Sequence, residues 1–296
     1  MHKLLTLILS TWLALFHGGA TLAKDISSSS GHHALWSLKG KHNTVYLLGS
    51  VHFLNPAEQL PPSIDDAYRD AEQLVMEIDM DDLDPQQTQQ LMLELGTLPS
   101  GQSLQQQLST PDYTAVNEQA RKLGVDLTLL NRFQPWLAAL TLMQLQLIKA
   151  GLDPNAGVEQ RFVTRAAADH KPIRGLETLR TQFSFMANLP PQQQREFLLF
   201  SIEDSDRELR EVDQLIAAWR QGDLKTLEKI LTDGFDKFPD LYRPLTVERN
   251  RQWVPQLEAL LNEQDDYLVI VGTLHLIGKE SVIDLLQARG HQVIRR

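Results

Sequence analysis

The chain has 296 residues, no cysteine, and 28 basic against 38 acidic residues, a net charge of −10. An acidic protein without a basic stripe argues against nucleic-acid binding. Without cysteine it has no thiol nucleophile, no thiolate metal ligand and no disulfide, so its own core must hold it, and the length permits one large domain or a core with a large insert.

Residues 1–23 carry Lys3, a mostly apolar run over 4–16, and small residues ending at Ala23. That is the layout of a secretory signal peptide, and the run is shorter than the about 20 residues of a spanning helix. No cysteine follows it, so a lipid-anchored lipoprotein is excluded. The expectation is cleavage near Ala23, a secreted or periplasmic protein, and no stable membrane insertion afterwards. Residues 24–33, KDISSSSGHH, read as a flexible leader.

Residues 35–38 and 44–48 read as two strands around a turn at 39–43. The second runs into Gly49-Ser-Val-His52. Pro61-Pro62 opens a helix over 62–73, with Ser63 near the N-cap and Asp65 and Asp66 in the first turn. LVMEID, 74–79, is a buried strand carrying Glu77, with Asp79 as a strand-end cap. Strand, helix, strand makes a βαβ unit and a parallel pair. The Gln-rich stretches that follow read as solvated helix faces and 134–150 as an apolar core helix. Residues 155–170 are another helix, KPIRGLE is a strand entering a turn at Glu177, and 190–263 is a string of helices broken at 235–244. The end repeats the start: a strand at 267–271, Gly272-Thr-Leu-His275, a helix at 279–288 stopped by Gly290, and a final strand in HQVIR. The expected architecture is therefore α/β. A central mixed sheet is assembled from strand–Gly-x-x-His–helix–strand units at both ends of the chain, with a helical insert over about 85–263.

A single Gly-x-x-His has little specificity, but both of these follow an apolar run directly. Parallel strands present their C-terminal ends to the ligand crevice, so His52 and His275 can meet there. Glu77 is costly inside so apolar a strand unless paired or bound to a cation. Two imidazoles and a carboxylate suit a divalent cation such as Zn, Mn, Co or Fe(II). A salt bridge from Glu77 to a buried arginine, and two separately packed histidines, are the structural alternatives. Glu159 and Glu177 are candidate general bases, and Arg249-Asn250 is the candidate pair for holding a substrate carbonyl or an anionic intermediate. His32, His33, His42 and His170 sit in polar stretches and read as surface residues. There is no His-Glu-x-x-His, no Gly-x-Ser-x-Gly, no P-loop and no dinucleotide fingerprint.

Taken in order, ALWSL…NTVYLLGSVHFLNP, LPPSIDDAYRDAEQLVMEID, Pro135-Trp136, GVEQRF…KPIRGLETLRTQF, ERN at 248–250 and VGTLHLIGKESVIDLLQARGHQV resemble the TraB/GumN/PrgY family, which includes the Tiki proteins. The resemblance covers nearly all of 34–295. It implies a fold related to erythromycin-esterase and ChaN-like proteins, with His52, His275 and Glu77 in the active site. Tiki members are described as Mn- or Co-dependent proteases, PrgY- and TraB-type members are linked to peptide-pheromone inhibition, and erythromycin-esterase relatives activate water with His and Glu. The expected function is a periplasmic hydrolase, a metal-dependent peptidase acting on a peptide or small molecule with Mn, Co or Zn. The alternatives are a metal-free esterase-like His/Glu hydrolase and a non-catalytic haem- or peptide-binding protein.

Overall fold

A computed structural model of the chain describes residues 32–202, 205–233, 235 and 242–296. The expected signal peptide, nearly all of the leader and most of the 235–244 break lie outside the described residues. Among those residues no helix is long and apolar enough to cross a membrane. The chain divides into two compact units.

The first unit, Leu83–Pro154 with Leu179–Arg210, is helical. Asp84 caps the helix Pro85–Gly96 by accepting from the Gln86 and Gln87 N–H groups, and the Gln-rich faces there are mostly exposed. The helix Pro135–Lys149 is core, with Trp136 fully buried against Phe183.

The second unit, residues 32–82, Asn155–Thr178 and 211–296, holds the sheet. Its strands are β1 (Leu35–Lys39), β2 (Thr44–Ser50), β3 (Gln73–Ile78), β4 (Ile173–Glu177), β5 (Tyr267–Gly272) and β6 (Ile294–Arg295). The order is β4-β3-β5-β2-β1-β6. β4, β3, β5 and β2 run parallel, while β1 and β6 are antiparallel additions. β5, YLVIVG, is buried almost throughout, as a parallel strand covered on both faces should be. The mixed α/β architecture is as expected, but β2 and β3 are not paired with each other. β5 lies between them, because the most apolar strand of the chain takes the centre of the sheet.

The helices of this unit that carry or border the site are, in sequence, α1 (Pro62–Asp70), α2 (Val158–Asp169), α3 (Glu248–Leu260) and α4 (Val282–Ala288). α1 stops at Asp70 rather than at 73, because Ala71 is extended and Gln73 already belongs to β3. Its N-cap is Pro61, with Ser63 two residues on; the Ser63 Oγ is buried with no hydrogen-bond partner among the described residues and caps nothing. α4 begins at Val282, where the Ser281 side chain accepts from the Asp284 N–H. His32, His42 and His170 are exposed, but His33 is 5 % exposed. The chain end folds back over it: its N–H donates to Arg296 O and its carbonyl accepts from Arg295 Nε. A polar neighbourhood in sequence therefore does not keep this histidine on the surface.

Candidate functional site

Register brings the chemistry to one edge. Ser50 pairs with Gly272, and Ile78 with Glu177, so the C-terminal ends of all four parallel strands lie together. Parallel α/β sheets bind ligands at that edge.

The two motif glycines are required for different reasons. A side chain on Gly49 would meet the Thr273 backbone at 3.2 Å and the Thr273 hydroxyl at 3.0 Å. Thr273 Oγ1 in turn donates to Ser50 O at 2.8 Å, which locks the ends of β2 and β5 together. A Cβ on Gly272 would lie 3.3 Å from Glu77 Oε1, 3.7 Å from the His275 ring and 3.8 Å from His52 Nε2. Gly272 therefore keeps clear the small space on which all three residues converge.

His52 follows β2 on an open turn, with 64 % of its side chain exposed. Its Nδ1 is 2.8 Å from Glu159 Oε1. Glu159, near the start of α2, also accepts from the Ser50 hydroxyl. The Glu159 charge raises the His52 pKa to about 9, against the opposing effect of burial and the Arg249 charge, and water at the exposed ring screens part of that attraction. Burial pushes the Glu159 carboxyl up, but His52 and the Ser50 hydroxyl together bring it below its usual value. α2 grips the same turn elsewhere. Val158 N–H donates to Val51 O, and Arg161 donates to Ala156 O, Glu58 O and Asn55 O.

His275 is 5 % exposed and packs on Trp253 at 4.5 Å. Its Nδ1 is 2.7 Å from Asn250 Oδ1. The Asn250 amide nitrogen donates to Glu280 O at 2.9 Å, so its oxygen faces the ring and His275 must carry its proton on Nδ1. Glu280 offers that carbonyl from the left-handed region, φ 57°. Nε2 is left as a bare acceptor. Burial pushes the His275 pKa down to about 3 despite the nearby Glu77 charge, so the ring is neutral.

Arg249, on α3 and 8 % exposed at its side chain, occupies the middle. Nη2 donates to Glu77 Oε2 at 2.5 Å and to Glu177 Oε1 at 2.5 Å. Nε donates to Glu177 at 3.1 and 3.2 Å. Nη1 donates to Leu245 O at 3.2 Å and approaches His275 Nε2 at 3.1 Å. A guanidinium has five N–H donors, and every one has an acceptor here. Burial raises the Glu77 carboxyl, but Arg249, the two histidines and the Gly272 N–H hold it down at about 2. Burial raises Glu177 above its usual value even though Arg249 opposes it.

The seven residues expected at the site, His52, Glu77, Glu159, Glu177, Arg249, Asn250 and His275, thus lie together at this edge. Glu159 backs His52, Glu177 pairs with Arg249, and Asn250 stands behind His275, between its ring and the Glu280 carbonyl. Glu77 takes the buried-arginine pairing weighed beside the metal. The donor types of His52, Glu77 and His275 suit a divalent cation, but Glu77 and His275 are engaged by Arg249. Among the described residues no group of three or more His, Asp or Glu side chains is placed to hold a metal ion. The residues as arranged do not fit the metal. Asp79 lies just past the end of β3 and its carboxylate accepts from the Asp81 N–H, while its Oδ1 is buried without a partner among the described residues; burial, followed by the neighbouring Asp81 and Asp82, pushes its pKa up to about 7. Ser50, Glu280 and Trp253 carried no signal in the sequence. Ser50 lies inside the first motif but without a Gly-x-Ser-x-Gly elbow around it, so no catalytic reading attaches to it from sequence.

The profile of the TraB/PrgY/gumN family matches residues 34–295. An uncharacterized protein named YbaP is 24 % identical over 267 residues in both Shigella flexneri and Escherichia coli K12, covering 87 % of this chain and 94 % of theirs. An uncharacterized Treponema pallidum protein is 22 % identical over 274 residues, covering 86 % of this chain and 80 % of its own. No solved structure matches.

Proposed function

The chain belongs to the TraB/PrgY/gumN family, and on that premise we propose that it is a hydrolase whose water is activated by the His52–Glu159 pair. The observation that carries this reading is the open His52 ring, tied at Nδ1 to Glu159, with Nε2 turned toward the space over Gly272. An imidazole oriented by a carboxylate and open at its other nitrogen is the usual general base of hydrolytic sites. Neutral His52 takes a proton from water as the water oxygen bonds to a carbonyl carbon. The imidazolium then returns the proton to the departing amine or alcohol as the C–N or C–O bond breaks. The raised pKa means that the basic form gains population as pH rises above neutrality. The substrate class is a peptide or a small ester or amide. The leader pattern of residues 1–23 supports action in the periplasm or outside the cell.

The metal-dependent peptidase implied by the resemblance draws support from the convergence of His52, Glu77 and His275 on Gly272. A divalent ion would supply an activated water. Against it stands the engagement of Glu77 and His275 by Arg249.

The test is a peptide- and ester-library screen of residues 24–296, purified without a histidine tag, with and without chelator. Turnover that survives chelation, vanishes in His52→Ala and falls in Glu159→Gln is the expected result. Full turnover in a folded His52→Ala variant would sink the proposal. Loss on chelation with recovery in Mn, Co or Zn would transfer the site to the metallopeptidase reading. Absence of turnover together with a Soret band would favour a haem-binding protein.

A further inference from the structure

Each Gly-x-x-His motif carries a hydroxyl in its second position, Ser50 in the first and Thr273 in the second. Both residues are 3 % exposed. Ser50 Oγ donates to Glu159 Oε1, the same oxygen that lies 2.8 Å from His52 Nδ1. Thr273 Oγ1 donates to Ser50 O at 2.8 Å, and the Trp219 indole N–H donates to the Gly49 carbonyl at 2.7 Å. The Ser50 backbone is thus held from both sides, with its register against Gly272 set by β5. The bonds run in one line, from Thr273 to Ser50, from Ser50 to Glu159 and from Glu159 to His52. Glu159 is rooted on α2 and His52 on the turn after β2, so the carboxylate and the ring come from different elements. The Glu159 backbone N–H also lowers its carboxyl, but that donor moves with α2. Ser50 is two residues before His52, so its hydroxyl ties the carboxylate to the segment that carries the ring.

We propose that Ser50 is a positioning residue for the His52–Glu159 pair: its hydroxyl holds the Glu159 carboxylate against Nδ1, and Thr273 holds Ser50, so both motifs work as Gly-hydroxyl-x-His. The inference rests on the hydrolase reading and adds the group that orients its base. A neutral imidazole carries its proton on one nitrogen or the other. Only the Nδ1–H form leaves Nε2 bare toward the space over Gly272. A carboxylate fixed at Nδ1 selects that form. Without the Ser50 hydroxyl the buried carboxylate lacks one of its donors and turns to find another, and the selection is lost.

The experiment compares tag-free wild type, Ser50→Ala, Ser50→Thr, Glu159→Gln and the double variant Ser50→Ala with Glu159→Gln, each with isotope-labelled histidine. Long-range proton–nitrogen NMR, at a pH above the His52 midpoint, reads which ring nitrogen holds the proton. His52 is assigned from a His52→Ala spectrum, and far-UV circular dichroism reads the fold. Wild type and Ser50→Thr show the Nδ1–H form, while Ser50→Ala shifts toward the Nε2–H form that free histidine prefers. On a substrate from the library screen, Ser50→Ala lowers kcat about 100-fold with KM little changed, and Ser50→Thr recovers most of it. In the Glu159→Gln background the same substitution costs nothing further, because Ser50 acts through Glu159. A folded Ser50→Ala with the wild-type tautomer overturns the proposal. A Ser50→Thr that behaves like Ser50→Ala, or losses that add in the double variant, overturn it as well. If Ser50→Ala does not fold, Ser50→Cys, which keeps the shape with a weaker donor, is read in its place with the same outcomes. The tautomer needs no turnover to be read. A protein that hydrolyses nothing yet shows these spectra sinks the hydrolase reading and leaves the role of Ser50 standing.

Discussion

Replacing Glu159 by Gln keeps the shape behind His52 and removes the charge that sets its proton affinity. In the wild type the Glu159 carboxylate, 2.8 Å from Nδ1, is the largest influence on His52, and it carries the pKa from 6.5 to about 9 against burial. Glu77 adds to the rise, while Arg249 opposes it. With Glu159 neutral, the Glu77 charge still raises the ring's proton affinity while burial and Arg249 still lower it, and the midpoint falls well below its wild-type position. The sign for stability follows. A histidine whose pKa is raised on folding contributes stability in full below 6.5 and loses it as pH rises through about 9. Glu159, whose pKa is lowered on folding, contributes above its ordinary 4.5 and loses that as pH falls. The pair therefore acts between about pH 4.5 and 9, in full up to 6.5 and then fading. With the His52 ring 64 % exposed, solvent screening limits its worth to about 1 kcal/mol. The assay is an NMR titration of the histidine ring resonances, with His52 assigned from a His52→Ala spectrum. A wild-type midpoint well above 7 that drops by about two units in Glu159→Gln is the expected result, since each unit is about 1.4 kcal/mol of differential interaction. Equal midpoints in the two proteins, or a wild-type midpoint at or below 6.5, would refute the argument from charge.

Gly272→Ala adds a methyl group 3.3 Å from Glu77 Oε1 at a residue with φ −51°, which alanine tolerates. Turnover should be lost with melting temperature nearly unchanged. Gly49→Ala meets Thr273 backbone at 3.2 Å instead, so it should destabilise the sheet by about 1–3 kcal/mol, read by urea denaturation. Asn250→Ala leaves the buried His275 Nδ1–H and the Glu280 carbonyl without partners, a loss of about 1–3 kcal/mol in the same assay, and Asn250→Asp should restore part of it by keeping the acceptor. Arg161→Ala releases the carbonyls of Asn55, Glu58 and Ala156. Limited proteolysis should then cut within 53–60 faster than in wild type, and an unchanged cleavage rate would show that the remaining contacts suffice.

Much of the sheet was legible because apolar runs end in local punctuation. β2 and β5 each run into a Gly-x-x-His, and β4 into Glu177, so their edges followed from pattern alone. The order of the strands did not. Whether β3 lies beside β2 or one place away depends on where a strand almost 200 residues later inserts, and no local signal encodes that competition. The Tyr267–Gly272 run carries a partial clue: it lacks a polar face, which suits the middle of a sheet better than its edge.

The site divides the same way. Residue types and strand ends pointed to the residues that gather at this edge, because a carboxylate within an apolar strand and two histidines that each follow an apolar run and a glycine stand out together. Their roles depend on pairings across the chain: Arg249 reaches Glu77 over a separation of 172 residues and Glu177 over 72. The sequence offered Glu77 two partners, a metal or a buried arginine, and the energetics of burial require only that it have one. Both satisfy the same physical demand, so spacing could not choose between them. The choice was made by α3, whose Arg249 delivers a cation with five donors to a place where two carboxylates and a bare imidazole nitrogen already point. A cation need read from β3 and its solution on α3 are two halves of one constraint, and only the folded chain brings them together.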